Sequence, residues 1–232
     1  METKKNFIIF AIIFVLIAGF GGWYIYHDLR GPQKEKEMTE SAKVGPSQGE
    51  NVNVNVGVEP TPVKLSSEEI KKQMPDLNKE IVIGANISEQ TKNAAIEKIK
   101  EITAQLKKDY DRREEWLNLG IWRKTIGDYE GAKEAWEFVT LIRPTDAVAF
   151  HNLGDLYSQY LIDFPKAEQY YLAAIAKEPG TPFYYVKLHE FYRYFVKKLD
   201  LAENILVQGI KATGGDSALK NILEAYRKDL KK

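Results

Sequence analysis

The sequence predicts an all-α chain: an N-terminal transmembrane helix, a flexible linker, and a superhelix of stacked helical hairpins closed by capping helices. Three observations predict it. Residues 7–26, FIIFAIIFVLIAGFGGWYIY, carry no charge. Aromatic residues fall in two blocks, seven between Phe7 and Tyr26 and twenty from Tyr110 onward, with none from His27 to Asp109. Trp116-Leu117-Asn118-Leu119-Gly120 is echoed by Phe150-His151-Asn152-Leu153-Gly154 thirty-four residues later, in a region whose apolar residues step by three and four.

Residues 1–6 form a short basic tail with Lys4 and Lys5. At 1.5 Å per residue the run 7–26 reaches about 30 Å, the thickness of a bilayer hydrocarbon core. Trp23, Tyr24 and Tyr26 cluster at its far end, as interfacial aromatics do. A cleaved signal peptide is the competing reading, with Ala18-Gly19 and Gly21-Gly22 as small-residue pairs. The run, however, exceeds the usual apolar length of about 7 to 15 residues, and no A-x-A site follows it. Arg30, Lys34, Lys36 and Lys43 follow the span, so a bare count of cations leans against an inside N-terminus. A short basic tail abutting the first span is nonetheless the signal-anchor arrangement, and long following domains translocate with little regard to their charge. The expected topology is single-pass in the cytoplasmic membrane, N-terminus inside and C-terminal domain outside the cytoplasm.

Residues 27–64 are rich in Gly, Pro, Glu, Lys, Ser and Asn, with too little apolar surface to offset the entropy of ordering, and are expected to be a disordered tether. A coil of that length spans on the order of 35 Å. Asn51 to Val58 alternates Asn with Val, but Gly57 and Pro60-Thr61-Pro62 limit it to a marginal strand.

Residues 65–112 lead into the folded part. Ser66 with Glu69 reads as a capping box, and Pro75 stops the short helix that follows. Ile81-Val82-Ile83 reads as extended. From Ser88 a long helix carries Ala95, Ile99, Ile102, Leu106 and Tyr110 on one stripe. In residues 113–214, Gly120 and Gly154 remove a side chain where two helices of a hairpin cross, and Ala132, Ala167 and Ala174 do the same on the opposing helix. Trp and Tyr fill the remaining volume. Each pair buries only part of its apolar face, so neighbours must stack and the stack needs caps. In residues 215–232, Asp216 caps a final helix with Ala218, Leu219, Ile222, Leu223, Tyr226 and Leu230 inward and Lys220, Lys228 and Lys231 outward.

The repeated residues resemble the tetratricopeptide repeat family, whose pattern is W-x2-L-G-x2-Y, then Ala, a large aromatic and Ala in the second helix, then Pro. The first copy matches at Trp116, Leu119, Gly120, Ala132, Trp136 and Pro144, and departs at Arg123 and Val139. The second matches at Leu153, Gly154, Tyr157, Ala167, Tyr171, Ala174 and Pro179, with Phe150 in the Trp place and one extra residue near Asp163-Phe164-Pro165. A third, degenerate copy has Tyr185, Leu188, Tyr192, Ala202, Leu206 and Gly209, with His189 in the small-residue place and Gly214 in place of the closing Pro.

The resemblance implies a concave groove that binds another protein or peptide. By pattern its lining is Leu117, Ile121, Lys124, His151, Asn152, Asp155, Ser158, Val186, Lys187, Glu190 and Arg193. The carboxylate clamp of chaperone-binding members is not implied, because Leu117, Ile121 and Phe183 stand in three of its polar places; Asn152 matches and Lys187 replaces Arg. Phe183, Tyr184, Tyr185, Phe191, Tyr192, Tyr194 and Phe195 are too many for one helix face; most are expected beneath the final helix, with the remainder free for a partner.

Composition narrows the chemistry. Lys+Arg 33 balances Asp+Glu 33, which argues against a uniformly basic nucleic-acid binder, and the absence of Cys excludes thiol catalysis and Cys-ligated zinc. Glu190 and Asp200 dilute the cations of the third repeat, so no nucleic acid is expected. His151 and Asp155 are one turn apart, a metal-ligand spacing, but no third strong ligand accompanies them and His189 reads as a packed core residue. No phosphate-loop, dinucleotide, nucleophile-elbow or H-E-x-x-H motif occurs, so neither catalysis nor cofactor nor metal is expected. Two other readings remain: a structural subunit of a larger membrane, envelope or secretion-associated complex whose groove is idle, and a metal-dependent enzyme using His151, Asp155 and His189.

Overall fold

Local signals set the helix boundaries in the computed structural model, which describes residues 65–231. Ser66 and Glu69 form the reciprocal capping box, with Glu69 Oε2 accepting from the Ser66 amide at 2.8 Å, and start α1 (Ser67–Lys72). Ser88 caps α2 (Glu89–Leu106) through the Thr91 amide. Then follow α3 (Arg113–Thr125), α4 (Tyr129–Ile142), α5 (Ala147–Gln159), α6 (Phe164–Lys177), α7 (Pro182–Glu190), a π-helical turn (Phe191–Phe195), α8 (Leu199–Ala212) and α9 (Ser217–Asp229). Asp128, Asp146, Asp163 and Asp216 cap α4, α5, α6 and α9, each accepting from the amide three residues on. Such a cap satisfies one of the amides that a helix start leaves unpaired. Among the described residues there is no strand, so this part of the chain is all-α. The segment 81–83 is neither helix nor strand, with Ile81 and Ile83 half-buried and Val82 exposed.

The predicted membrane span at 7–26 and the predicted linker at 27–64 lie outside the described residues. Among the described residues, no helix is long and apolar enough to cross a membrane.

From α2 onward each helix packs chiefly on its neighbours in sequence, most closely α3 on α4 and α5 on α6. The reason is a void on one helix filled by a ring from the next. A Cβ at Gly120 would sit 2.5 Å from Cε2 of Trp136, and one at Gly154 would sit 2.8 Å from Cδ1 of Tyr171. Those rings therefore occupy the space a side chain would take. In the pair α7 and α8 the roles are exchanged: Gly209 of α8 makes room for Tyr185 of α7, at 2.6 Å from its Cγ. His189, where the earlier hairpins carry glycine, is buried and donates from Nδ1 to the Ala202 carbonyl at 2.8 Å. Leu206, which the repeat pattern aligns with Trp136 and Tyr171, is buried and smaller than either.

The three hairpin turns share one geometry. Gly127, Ile162 and Lys197, thirty-five residues apart in succession, all have positive φ, at 82°, 52° and 55°. The next residue then bonds back to the preceding helix: Asp128 to the Arg123 carbonyl at 2.8 Å, Asp163 to Tyr157 at 3.0 Å, Lys198 to Tyr192 at 2.9 Å. The last two turns hold one residue more than the first, absorbed by wide bonds from Leu161 to Leu156 and from Val196 to Phe191. The π-helical turn in the third hairpin and the loosened end of α5 are thus the same one-residue insertion.

Several expectations need correction. The stripe of α2 ends at Leu106: Tyr110 lies beyond the helix, half-buried, where its carbonyl accepts from Trp116 Nε1 at 2.8 Å. Pro144 and Pro179 are exposed in the turns after α4 and α6, where they end helices instead of packing. Ala218 and Leu230 of the final helix point outward, while Leu219, Leu223 and Tyr226 are buried. The third-hairpin aromatics do not gather beneath α9. Phe191 packs on Tyr171 and Phe164, Tyr192 donates to Glu168 at 2.6 Å, and Tyr184 meets His151, so most of the group faces back toward α5 and α6. A stacked pair leaves its open side toward the preceding pair as well as the following one, and here the large rings fill the earlier side.

Candidate functional site

The predicted groove residues come from α3, α5 and α7, with Arg193 in the π-helical turn, and Asp155 is the one that His151 meets directly. Its ring lies edge-on to Phe183 of α7, with centroids 4.8 Å apart, and near Tyr184 and Tyr171. Nε2 is 3.5 Å from Oδ2 of Asp155, one turn along α5. Nδ1 is buried and has no hydrogen-bond partner among the described residues. Asp155 is fixed from behind by Tyr171, whose hydroxyl donates to Oδ1 at 2.7 Å and lies 3.1 Å from Ser158 Oγ. Burial pushes the His151 pKa down, Asp155 opposes that, and the cations Lys187 and Lys124 add to it. The imidazole is accordingly held neutral near pH 7. Burial and the Asp155 charge push the Tyr171 hydroxyl far up, so it stays a donor.

The surface around this cluster mixes apolar area with both signs of charge. Ile121 is 44% exposed and Phe183 is 46% exposed, values high enough that both project from the surface. Lys187 pairs with Glu190 at 2.9 Å and lies over the Phe183 ring at 5.8 Å; Lys124 lies over the Trp136 ring at the same distance. Asn152, Asp155 and Val186 are half-buried. Such a patch offers apolar anchors and paired charges.

Three predicted lining residues are not at the surface. Leu117 and His151 are buried, and Ser158 is wholly so, closed under Tyr171. Arg193 also leaves the face: its guanidinium is sandwiched between the Tyr194 and Tyr226 rings, 5.0 Å from each, and reaches Asp229 of α9 at 3.3 Å. Arg193 lies within the π-helical turn, whose wider winding changes the angle between successive residues, and its side chain is turned toward α9. Phe183, which the groove pattern omits, is the most exposed apolar residue of the cluster. Its signal in the sequence was a large apolar residue directly after Pro182 at a helix start, where the first turn has few neighbours to bury it.

The three residues of the enzyme reading are not brought together. His189 meets Tyr226 edge-on at 4.9 Å and bonds into α8, whereas His151 and Asp155 face α7. Among the described residues, no group of three or more His, Asp or Glu side chains is arranged to hold a metal.

Arg123, the departure from the repeat pattern in the first copy, is buried and ion-pairs with Asp128, which also caps α4 through the Gly131 amide at 3.0 Å. A Cβ at Gly131 would meet Arg123 Nη1 at 2.6 Å, so that glycine gives the guanidinium its room. No protein-family model and no curated protein matches this chain.

Proposed function

We propose that the chain is a tetratricopeptide-type repeat scaffold, carried on a single membrane span at residues 7–26, that binds a segment of another protein. Binding takes place along the face bearing Ile121, Lys124, Asp155, Phe183 and Lys187. The repeat reading is supported by the glycine–ring pairs Gly120–Trp136 and Gly154–Tyr171 and by left-handed turn residues recurring every thirty-five positions. Three such hairpins with leading and closing helices correspond to repeats over residues 113–214, flanked by caps.

The observation that carries the binding reading is the exposed pair Ile121 and Phe183, with the Lys187–Glu190 ion pair beside the Phe183 ring. Apolar anchors ringed by charge are the usual makings of a protein-binding hot spot. The proposed placement outside the cytoplasm rests on the short basic tail alone.

Photoreactive residues in place of Ile121, Phe183 and Lys187 test this reading in cells, with one at the exposed Gln169 of α6 as control. Crosslinks from the first three to one protein, and none from Gln169, are expected. Trapping only from within residues 7–26 would instead make the chain a subunit held by its anchor. The absence of native cysteine lets single introduced cysteines report topology without background.

A further inference from the structure

A second groove lies away from that face, along α8 and α9. Ile210 and Leu223 form its apolar floor, and it encloses about 540 Å³. Lys220, Lys228 and Lys231 rim it, all exposed and none in an ion pair among the described residues. Arg227 completes the wall but is held by Glu203 at 2.7 Å, and Glu224 is the lone carboxylate in the lining. Leu230, seven residues beyond Leu223 and so on the same side of the helix, is 48% exposed and continues the apolar line.

We propose that this groove docks an acidic amphipathic helix of a partner protein. Its apolar stripe would lie on Ile210, Leu223 and Leu230, and its carboxylates would meet Lys220, Lys228 and Lys231. Two features favour a helix. The 13 residues of α9 offer about 20 Å of straight edge, enough for three to four turns laid alongside. An apolar stripe flanked by one sign of charge is what a helix face presents, and the groove shows its complement. Glu224 sets the register by opposing a single cation on the partner. A bilayer surface would meet the lysine rim and leave the recessed floor untouched.

The full chain, held in phosphatidylcholine nanodiscs and labelled with an environment-sensitive dye at Ala225→Cys, tests the proposal. The probes are a synthetic peptide with leucine at heptad a and d spacing flanked by glutamate, and its lysine-flanked twin. The acidic peptide is expected to give a saturable signal, weakened at least about tenfold in the Lys220→Glu, Lys228→Glu, Lys231→Glu variant and weakened by added salt. Glu224→Lys is expected to tighten binding severalfold, a gain that misfolding cannot produce. Equal response to both peptides, or response to neither, overturns the proposal. A signal from phosphatidylserine in the disc without peptide assigns the groove to lipid headgroups and overturns it as well.

Discussion

Glycine 120 shows how much a single atom decides in this chain. The Trp136 ring fills the space beside it and donates from Nε1 to the Leu117 carbonyl at 3.1 Å, so an added methyl must displace a large ring that is already hydrogen-bonded. Gly120→Ala is expected to cost about 2 kcal/mol, even after the roughly 1 kcal/mol that alanine's better helix propensity returns. Gly154→Ala, where the nearest Tyr171 atoms are farther away, is expected to cost about half as much. Urea unfolding of both variants checks the order, and equal stability to the parent protein would contradict the packing account. These pairs were readable in advance because a small residue at a helix crossing implies a bulky one opposite. Ser158 was not readable. The pattern identifies a polar residue on the inner face, but only the position of the Tyr171 ring shows that this one is covered. The Arg123–Asp128 pair escaped for the same reason, since nothing in a helical pattern states that two charges five residues apart will be buried together.

Helix starts were legible and helix ends less so. Ser66, Ser88 and Asp216 act through short-range bonds to amides three residues away, so local sequence contains the whole interaction. The end of α2 depends instead on where its stripe runs out of partners, and the π-helical turn depends on how an extra residue is shared between helix and turn. That turn brings a measurable strain. Ile162 and Lys197 hold left-handed backbone where the first hairpin has Gly127, a conformation costing a side-chain-bearing residue about 1–2 kcal/mol. Ile162→Gly and Lys197→Gly are each expected to stabilise the protein by about 0.5–1 kcal/mol, net of glycine's greater freedom in the unfolded chain. For a folded unit of this size such a gain is worth roughly 1–4 °C in Tm. Calorimetry reads it, and a loss of stability in both would refute the strain.

Histidines in two different hairpins tie the stability of the described helices to pH. Burial lowers the pKa of both His151 and His189 below the ordinary value, so below about pH 6.5 the unfolded chain takes up protons before the folded one does. Stability is therefore complete above that pH and declines as the pH falls through it. The slope from each histidine is at most about 1.4 kcal/mol per pH unit. Chemical denaturation between about pH 7 and about pH 5.5 should show a steeper decline for the parent protein than for a His151→Gln, His189→Gln double variant. Parallel profiles would show that neither imidazole is held neutral by the fold. Because from α2 onward each helix contacts mainly its neighbours in sequence, the two single variants should contribute nearly independently.

Hydrophobic period, caps and the spacing of glycine and aromatic residues were enough to foresee a chain of paired helices, because each of those signals acts over one turn or one hairpin. Which polar residues remain at the surface came from packing alone. By pattern His151, Ser158 and Arg193 all occupy inner-face positions, yet the Phe183 and Tyr171 rings cover the first two and the π-helical turn that holds the third directs it toward α9. The α8–α9 groove emerged in the same way: its floor joins Ile210 of α8 to Leu223 of α9, and sequence spacing does not state how far apart two helices stand.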